Sequence, residues 1–319
     1  MDLKLVERIA NALLYEGYLL YPYRPSAIKN RRRFNFGVFY PRDYGLAHDE
    51  LFSMQTECLA TCNWRMAFDV RLRFLHLTAR EGWQEAIGRE VIVPALRTDD
   101  LLVAPSQTPF AFPSKGPSGA LNDPWRQDTR GKRKEQESIN GNIEIAARQV
   151  AEGVFKITLR ILNLTPLGDA SGVSRDEALK RSLVSTHAIL SARGGEFISL
   201  LDPPESLRDV AESCRNIGTY PVLVGAEGER DTMLSAPIIL YDYPQIAPES
   251  AGDLFDGTEI DEMLTLRILT LTDEEKREMR DGDERARRIL ERTEAMPAEQ
   301  LMKLHGAVRG LRRVEGGAR

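Results

Sequence analysis

The chain has 319 residues, of which 42% are hydrophobic and 29% are charged, and its formal net charge is −5. This composition is typical of a folded, soluble protein with one large domain or two, and it excludes a disordered chain. The negative net charge of the chain argues against a protein that coats nucleic acid. No apolar run approaches the roughly 20 residues of a membrane helix, the N-terminus has no secretory-signal pattern, and three cysteines do not make a disulfide framework, so we expect a cytoplasmic protein.

The first third of the chain predicts one helix followed by strands. Apolar residues recur at helical spacing over 3–15, with polar residues between them, and Gly17 ends the pattern. Alternating or short apolar runs predict three strands, at 34–40, 66–78 and 90–96. Residues 105–138 are rich in proline, glycine and basic side chains, and this composition predicts a long surface loop.

Two hairpins and further strands are predicted in the middle of the chain. Residues 141–150 and 154–165 flank the turn residues Glu152 and Gly153, and 185–192 and 196–200 flank Gly194 and Gly195. Ser174 and Glu177 form the pattern of a capping box that begins a short helix. Two apolar runs predict buried strands, at 219–225 and 233–241.

The C-terminal part of the sequence is helical in character. Thr258 and Thr272 are placed to cap helices, Glu284 to Thr293 continues the helical pattern, and Pro297 interrupts it. Since the strands do not alternate with helices, we predict an α+β fold, mainly an antiparallel β-sandwich with an N-terminal helix and a helical C-terminal appendage. The expected division is a β-rich core over 1–257, including the loop at 105–138, and a helical segment over 258–319.

The first candidate site is a basic and aromatic segment, residues 17–42, which has no acidic residue. Its candidate binding residues are Tyr23, Arg24, Lys29, Arg31, Arg32 and Arg33. Tyrosine and arginine are enriched in protein interfaces, and aromatic rings between cations can also bind nucleic acid. The plain alternative is that the rings pack in the core and the arginines are solvated. No known nucleic-acid-binding motif accompanies the segment, so a nucleic-acid partner is disfavoured.

The second candidate site is an acidic segment, residues 231–266, which has no lysine or arginine. Its candidate binding residues are Asp253, Asp256 and Glu259. Their spacing does not match an EF-hand. Three interpretations stay open: acids that favour the first turn of a helix, a surface that faces the basic segment, and a docking site for a basic partner.

Other chemistry has weak support in the sequence. Cys58 and Cys62 have a spacing found in zinc sites, but no second pair of ligands accompanies them. Neither the G-x-S-x-G turn of hydrolases nor a glycine-rich phosphate loop occurs. We therefore assign no catalytic residue, no metal site and no cofactor, and Cys58 and Cys62 remain the weak metal candidates.

Several long phrases resemble one family of proteins. The phrases are EGYLLYPYRPSAIKNRRRFNFG at 16–37, MQTECL at 54–59, LLDPPE at 200–205 and PIILYDYPQIAPESAGDLFDGTEIDEMLTLRILTLTDEEK at 237–276. They are similar to an uncharacterised bacterial family whose members are encoded beside [NiFe]-hydrogenase genes. The resemblance implies a role connected with a [NiFe]-hydrogenase, and it assigns no functional residue.

From these observations we expect an accessory or assembly protein that acts by binding a protein partner, with a hydrogenase subunit or maturation factor as the implied partner. One alternative is a metal-dependent or otherwise unrecognised enzyme. A second is an RNA-binding regulator. No membrane association is expected.

Overall fold

The computed structural model describes residues 3–16, 22–24, 35–62, 66–80, 83–114, 136–245, 261–282 and 284–297. Contacts between backbone atoms divide the chain into two compact units. The first unit is Met1–Tyr15 with Phe34–Gln245, and the second is Glu16–Arg33 with Ile246–Arg319. The division therefore differs from the expected one, because residues 16–33 group with the C-terminal part.

The described residues form ten strands in two antiparallel sheets. The strands are β1 (Ser53–Thr61), β2 (Ala67–Arg80), β3 (Trp83–Arg97), β4 (Ser106–Phe112), β5 (Ile139–Ala151), β6 (Val154–Asn163), β7 (Val184–Arg193), β8 (Glu196–Ile198), β9 (Tyr220–Leu223) and β10 (Thr232–Ala236). The strand order is β4-β5-β6-β1-β8 in the first sheet and β3-β2-β7-β10-β9 in the second.

Eight helices are described. They are α1 (Leu3–Tyr15), α2 (Arg42–His48), α3 (Thr98–Val103), α4 (Arg175–Leu179), α5 (Arg208–Glu212), α6 (Asp261–Leu269), α7 (Asp273–Asp281) and α8 (Glu284–Glu294). The predicted helix at 3–15 and the predicted helices within 272–293 are confirmed. Ser174 and Thr272 cap their helices as expected, and Thr272 with Glu275 forms a complete capping box.

The two sheets pack face to face, and the predicted β-sandwich is confirmed. Alternate residues of β2, such as Phe68, Leu72 and Phe74, point into one core together with residues of the opposite sheet, such as Ile143 and Ile157. This arrangement follows from the period of two in a strand, which places every second side chain on the same face. The hydroxyl groups of Thr56 and Ser235 lie 2.5 Å apart and link the two sheets inside this core.

Helix α1 covers the outer face of the second sheet by packing on β7 and β2. Its apolar stripe, including Val6, Ile9 and Leu13, is buried. At its C-terminal end, the hydroxyl of Ser185 donates a hydrogen bond of 3.0 Å to the carbonyl of Leu13. Ser185 lies in a bulge of β7 and has a positive φ of 51°. The bulge thus supplies a hydrogen-bond donor to one of the last carbonyls of the helix, which have no partner within the helix itself.

The predicted hairpin between β7 and β8 is wrong. Strand β8 pairs with β1 of the first sheet, whereas β7 pairs with β2 and β10 of the second. The glycine pair therefore carries the chain from one sheet to the other. A side chain at Gly195 would lie 2.7 Å from the carbonyl oxygen of Thr61, so the crossing depends on a close backbone approach. The other hairpin, β5 with β6, is confirmed.

The predicted and observed strands differ at five further places. Residues 106–112, expected within a loop, form β4, because Pro109 is tolerated on the edge of a sheet. Strand β1 was not predicted, and β3 is twice as long as the predicted run. The predicted strand at 34–40 is, among the described residues, a single bridge between Phe39 and Leu183. The predicted strand at 233–241 ends at Ala236.

In the second unit, α8 packs against both α6 and α7. Glu294 of α8 receives ion pairs from Lys276 at 3.3 Å and Arg280 at 2.8 Å, both on α7. No helix within the described ranges is long and apolar enough to cross a membrane.

Candidate protein-binding surface

A cleft of about 400 Å³ opens on the first unit. Its floor is the segment from Asn35 to Tyr40, which is held to the sandwich by the paired backbone groups of Phe39 and Leu183. The other lining residues come from four places in the chain: Glu50 and Leu51, Arg175, Gly218 with Tyr220, and Pro237. The tertiary fold therefore assembles a site that no single stretch of sequence contains.

Arg175 joins the polar side chains of the cleft. Arg175 follows the N-cap Ser174 of α4, and its guanidinium donates a hydrogen bond of 2.9 Å to the side-chain oxygen of Asn35. It also hydrogen bonds to the hydroxyl of Tyr40. Burial raises the pKa of Tyr40 above its ordinary value, and the nearby Arg175 opposes this shift only in part. At neutral pH the Tyr40 hydroxyl is therefore protonated and can donate a hydrogen bond.

Two glycines set the shape of the cleft. Gly37 has a φ of +58°, and a side chain there would lie 2.7 Å from Cβ of Pro237. Gly218 has a φ of +68°, and a side chain there would lie 2.8 Å from the ring of Phe39. Both positions combine a conformation that favours glycine with a close approach. Gly37 thereby brings the cleft floor against the start of the segment that follows β10.

This segment, residues 237–243, leads from the end of β10 to the outer edge of β9. Ala236 lies opposite Tyr220 at the beginning of β9, and the backbone N–H of Tyr243 donates a hydrogen bond of 2.8 Å to the carbonyl of Leu223 at its end. The N–H of Leu223 in turn donates to the carboxylate of Asp242 at 2.8 Å. Because β10 occupies the other side of β9, these two hydrogen bonds satisfy the outward backbone groups of Leu223 at the edge of the sheet.

Hydrogen bonds join this segment to the turn that follows β8. The hydroxyl of Ser199 donates to the second carboxylate oxygen of Asp242 at 2.5 Å. The same hydroxyl accepts hydrogen bonds from the backbone N–H groups of Leu201 at 3.1 Å and Asp202 at 3.0 Å. Two phrases that are far apart in the sequence, 200–205 and 237–243, are therefore held side by side.

Large apolar side chains in this segment, in the turn after β8 and at the start of β9 are exposed to solvent. Ile239 is 76% exposed and Tyr241 is 86% exposed. Leu201 is 55% exposed and Tyr220, which also lines the cleft, is 47% exposed. We call these four residues, Leu201, Tyr220, Ile239 and Tyr241, the ledge. A group of exposed apolar side chains on an ordered backbone is typical of an interaction surface.

The predicted binding residues have a mixed outcome. Tyr23 is fully buried, so its side chain is not available as a surface contact. Arg24 forms ion pairs with Glu275 at 3.1 Å and Glu278 at 3.6 Å on α7. The remaining candidates lie outside the described residues: Lys29, Arg31, Arg32, Arg33, Asp253, Asp256 and Glu259.

The two weak metal candidates are core residues. Cys58 lies in β1 and Cys62 directly follows it, and both are buried. A strand rises about 3.3 Å per residue, so four residues separate their Cα atoms by roughly 13 Å, too far for one metal ion. Burial also raises the pKa of the Cys58 thiol, which disfavours the thiolate that a metal requires. In the part of the chain that is described, no cluster of three or more His, Cys, Asp or Glu side chains could hold a metal ion.

The ledge is not predicted by the sequence. The apolar run 233–241 predicts a buried strand that includes Ile239 and Tyr241, because an apolar run has the same composition whether it is buried or exposed. Pro237 was the available signal, since a proline cannot continue the hydrogen-bonding pattern of an inner strand. No comparable signal in the sequence predicts the cleft.

Comparisons with known protein families and with curated proteins give no match. No known protein family matches the sequence, and no curated protein is significantly similar to it.

Proposed function

We propose that this protein is an accessory or assembly protein that acts by binding a partner protein through the ledge. The observation that carries the proposal is the exposure of Ile239 and Tyr241, at 76% and 86%. Covering one such side chain contributes roughly 1.5–3 kcal/mol to association. Tyrosine is also enriched in protein interfaces, where its ring packs and its hydroxyl stays hydrated.

The cleft supports the same proposal. It adjoins the ledge through Tyr220 and offers hydrogen-bonding groups from Asn35, Tyr40 and Arg175. An interface typically combines an apolar centre with a polar rim, and the two features together supply both. The resemblance of the sequence phrases makes a [NiFe]-hydrogenase subunit or maturation factor the first partner to test.

The test is affinity capture with the full-length chain from cells that produce a [NiFe]-hydrogenase. Three baits are compared: the wild type, the double variant Ile239→Ser/Tyr241→Ser, and the control Val103→Ser. Val103 is 88% exposed at the end of α3 and is thus a match for the exposure of Tyr241. Circular dichroism and thermal unfolding establish that all three baits are folded.

The proposal expects a hydrogenase subunit or maturation factor to be recovered by the wild type and by the Val103 variant. The double variant should recover it at least about tenfold less, as expected when a central apolar contact is lost. Equal recovery by the double variant would contradict a role for the ledge. Failure of all baits to recover such a protein would contradict the proposed partner.

A further inference from the structure

The rim of the ledge carries more negative than positive charge. Between residues 200 and 212 there are four acidic residues and one basic residue, Arg208. Asp202 and Glu205 are exposed, and Arg208 forms an ion pair of 2.6 Å with Glu205. Residues 231–245, which include the other side of the ledge, contain no lysine or arginine. At the cleft end, Glu50 and Arg175 have opposite charges, so they do not reverse this balance.

Hydrogen bonds join the acidic turn to the segment that carries Tyr241. The Ser199 hydroxyl contacts both the Asp242 carboxylate and the backbone N–H of Asp202, so the acidic turn lies beside the neighbour of Tyr241. Both oxygens of the Asp242 carboxylate accept hydrogen bonds. An exposed tyrosine ring and exposed carboxylates both favour a cationic partner, because the ring face and the carboxylates attract the same charge.

We infer that the ledge binds an extended partner segment in which arginine or lysine side chains alternate with apolar side chains. The apolar side chains cover Ile239 and Leu201, and a cationic side chain lies against Tyr241 and pairs with Asp202 or Glu205. An acidic or purely apolar segment would leave the carboxylates without compensation and would bind less well. The inference rests on the proposed function and specifies the chemistry of the partner.

Two synthetic peptides of equal length test the inference, one alternating leucine with arginine and one alternating leucine with glutamate. Each carries a fluorophore, and binding to the full-length chain is measured by fluorescence anisotropy at low and at high salt. The protein variants are Tyr241→Ser, the charge variant Asp202→Asn/Glu205→Gln and the control Val103→Ser. The charge variant retains the volume of the side chains and removes only their charge.

The arginine peptide should bind at least about tenfold more tightly than the glutamate peptide, and high salt should reduce the difference. Both ledge variants should weaken its binding by about three- to tenfold, while the Val103 control leaves it unchanged. The inference is overturned if the glutamate peptide binds equally well, if neither peptide binds, or if neither ledge variant affects binding. A negative result with the peptides leaves the proposed function intact, provided that capture of the partner still depends on Ile239 and Tyr241. If the arginine peptide binds as expected but no hydrogenase subunit or maturation factor is captured, the proposed partner is contradicted, while the inferred binding chemistry of the ledge stands.

Discussion

Asn163 is a fully buried amide at the end of β6 whose hydrogen-bonding groups are all used. Its nitrogen donates to the carbonyls of Phe39 at 2.9 Å and Arg181 at 2.8 Å. Its oxygen accepts from the backbone N–H of Thr165 at 3.1 Å and from the Thr165 hydroxyl at 2.6 Å. One side chain therefore holds the cleft floor, the segment after α4 and the end of β6 together.

Replacement of Asn163 by alanine should lower the free energy of unfolding by about 3 kcal/mol, because it leaves several buried groups without partners. Urea unfolding measures the change. Asn142 of β5 is the matched control, since its side-chain oxygen is buried and has no hydrogen-bond partner among the described residues. Asn142→Ala should cost less than about 1 kcal/mol. Equal losses in the two variants would contradict the role of the Asn163 hydrogen bonds.

His187 is fully buried in β7, and burial lowers its pKa to about 3. Its Nδ1 hydrogen bonds to the carbonyl of Ser185 at 3.0 Å, within the β7 bulge. The folded pKa lies below that of the unfolded chain, near 6.5. The stability that the neutral ring contributes is therefore complete above pH 6.5 and is lost as the pH falls toward 3.

Between pH 7 and pH 5, His187 alone should account for a loss of about 2 kcal/mol in the free energy of unfolding. His187→Asn removes the titrating group, so the variant should lose correspondingly less over this range. Urea unfolding at both pH values gives the comparison. A variant with the same pH dependence as the wild type would show that protonation of His187 does not limit stability in acid.

At the scale of elements, one buried ion pair attaches a surface segment to the first sheet. Lys156 of β6 is buried, and its ammonium group contacts the Glu57 carboxylate at 3.2 Å and the carbonyl of Ser213 at 3.1 Å. Glu57 also accepts a hydrogen bond from the backbone N–H of Arg215 at 2.8 Å. The pair thus fixes residues 213–215 beside α5 on the outer face of the sheet.

Lys156→Met should lower the free energy of unfolding by about 3 kcal/mol, because it leaves Glu57 desolvated without its cation. The same strand provides the control: Arg160 pairs with Glu144 at 3.1 Å, but Arg160 is 44% exposed. Arg160→Met should cost less than about 1 kcal/mol. Hydrogen exchange should also accelerate in 205–217 for the Lys156 variant only. Similar effects of the two substitutions would contradict the distinction between buried and exposed pairs.

At the scale of the whole molecule, the chain does not divide at one point in the sequence. Residues 16–33 leave the first unit after α1 and belong to the unit formed by the C-terminal helices. Within that unit, Arg24 pairs with two glutamates on α7, three residues apart. Both glutamates lie outside the acidic segment 231–266, so the interpretation that this segment faces the basic segment stays a prediction.

Arg24→Met should destabilise α7 by about 1 kcal/mol, since the pairs are partly exposed and water screens them. Amide hydrogen exchange in 273–281 should then accelerate by about fivefold, while exchange in β6 stays unchanged. Arg277→Met, on the same helix and exposed, is the control. Unchanged exchange in α7 would contradict a stabilising role for Arg24.

Local sequence patterns were sufficient to predict many of the helices and strands. The helix at 3–15, strand β2, the β5–β6 hairpin and the Thr272 capping box follow from spacing and turn residues, and all four are confirmed. Each depends on interactions between residues that are close in the sequence, so the sequence contains the whole signal.

The sequence by itself thus determined the α+β class, the β-sandwich and the helices at both ends, because hydrophobic periodicity reports which side of an element is buried. Only the tertiary structure decided that β8 joins the other sheet, that β4 forms an edge, and that Ile239 and Tyr241 face the solvent. These outcomes depend on contacts between residues far apart in the chain, such as Ser199 with Asp242, which apolar composition alone does not encode.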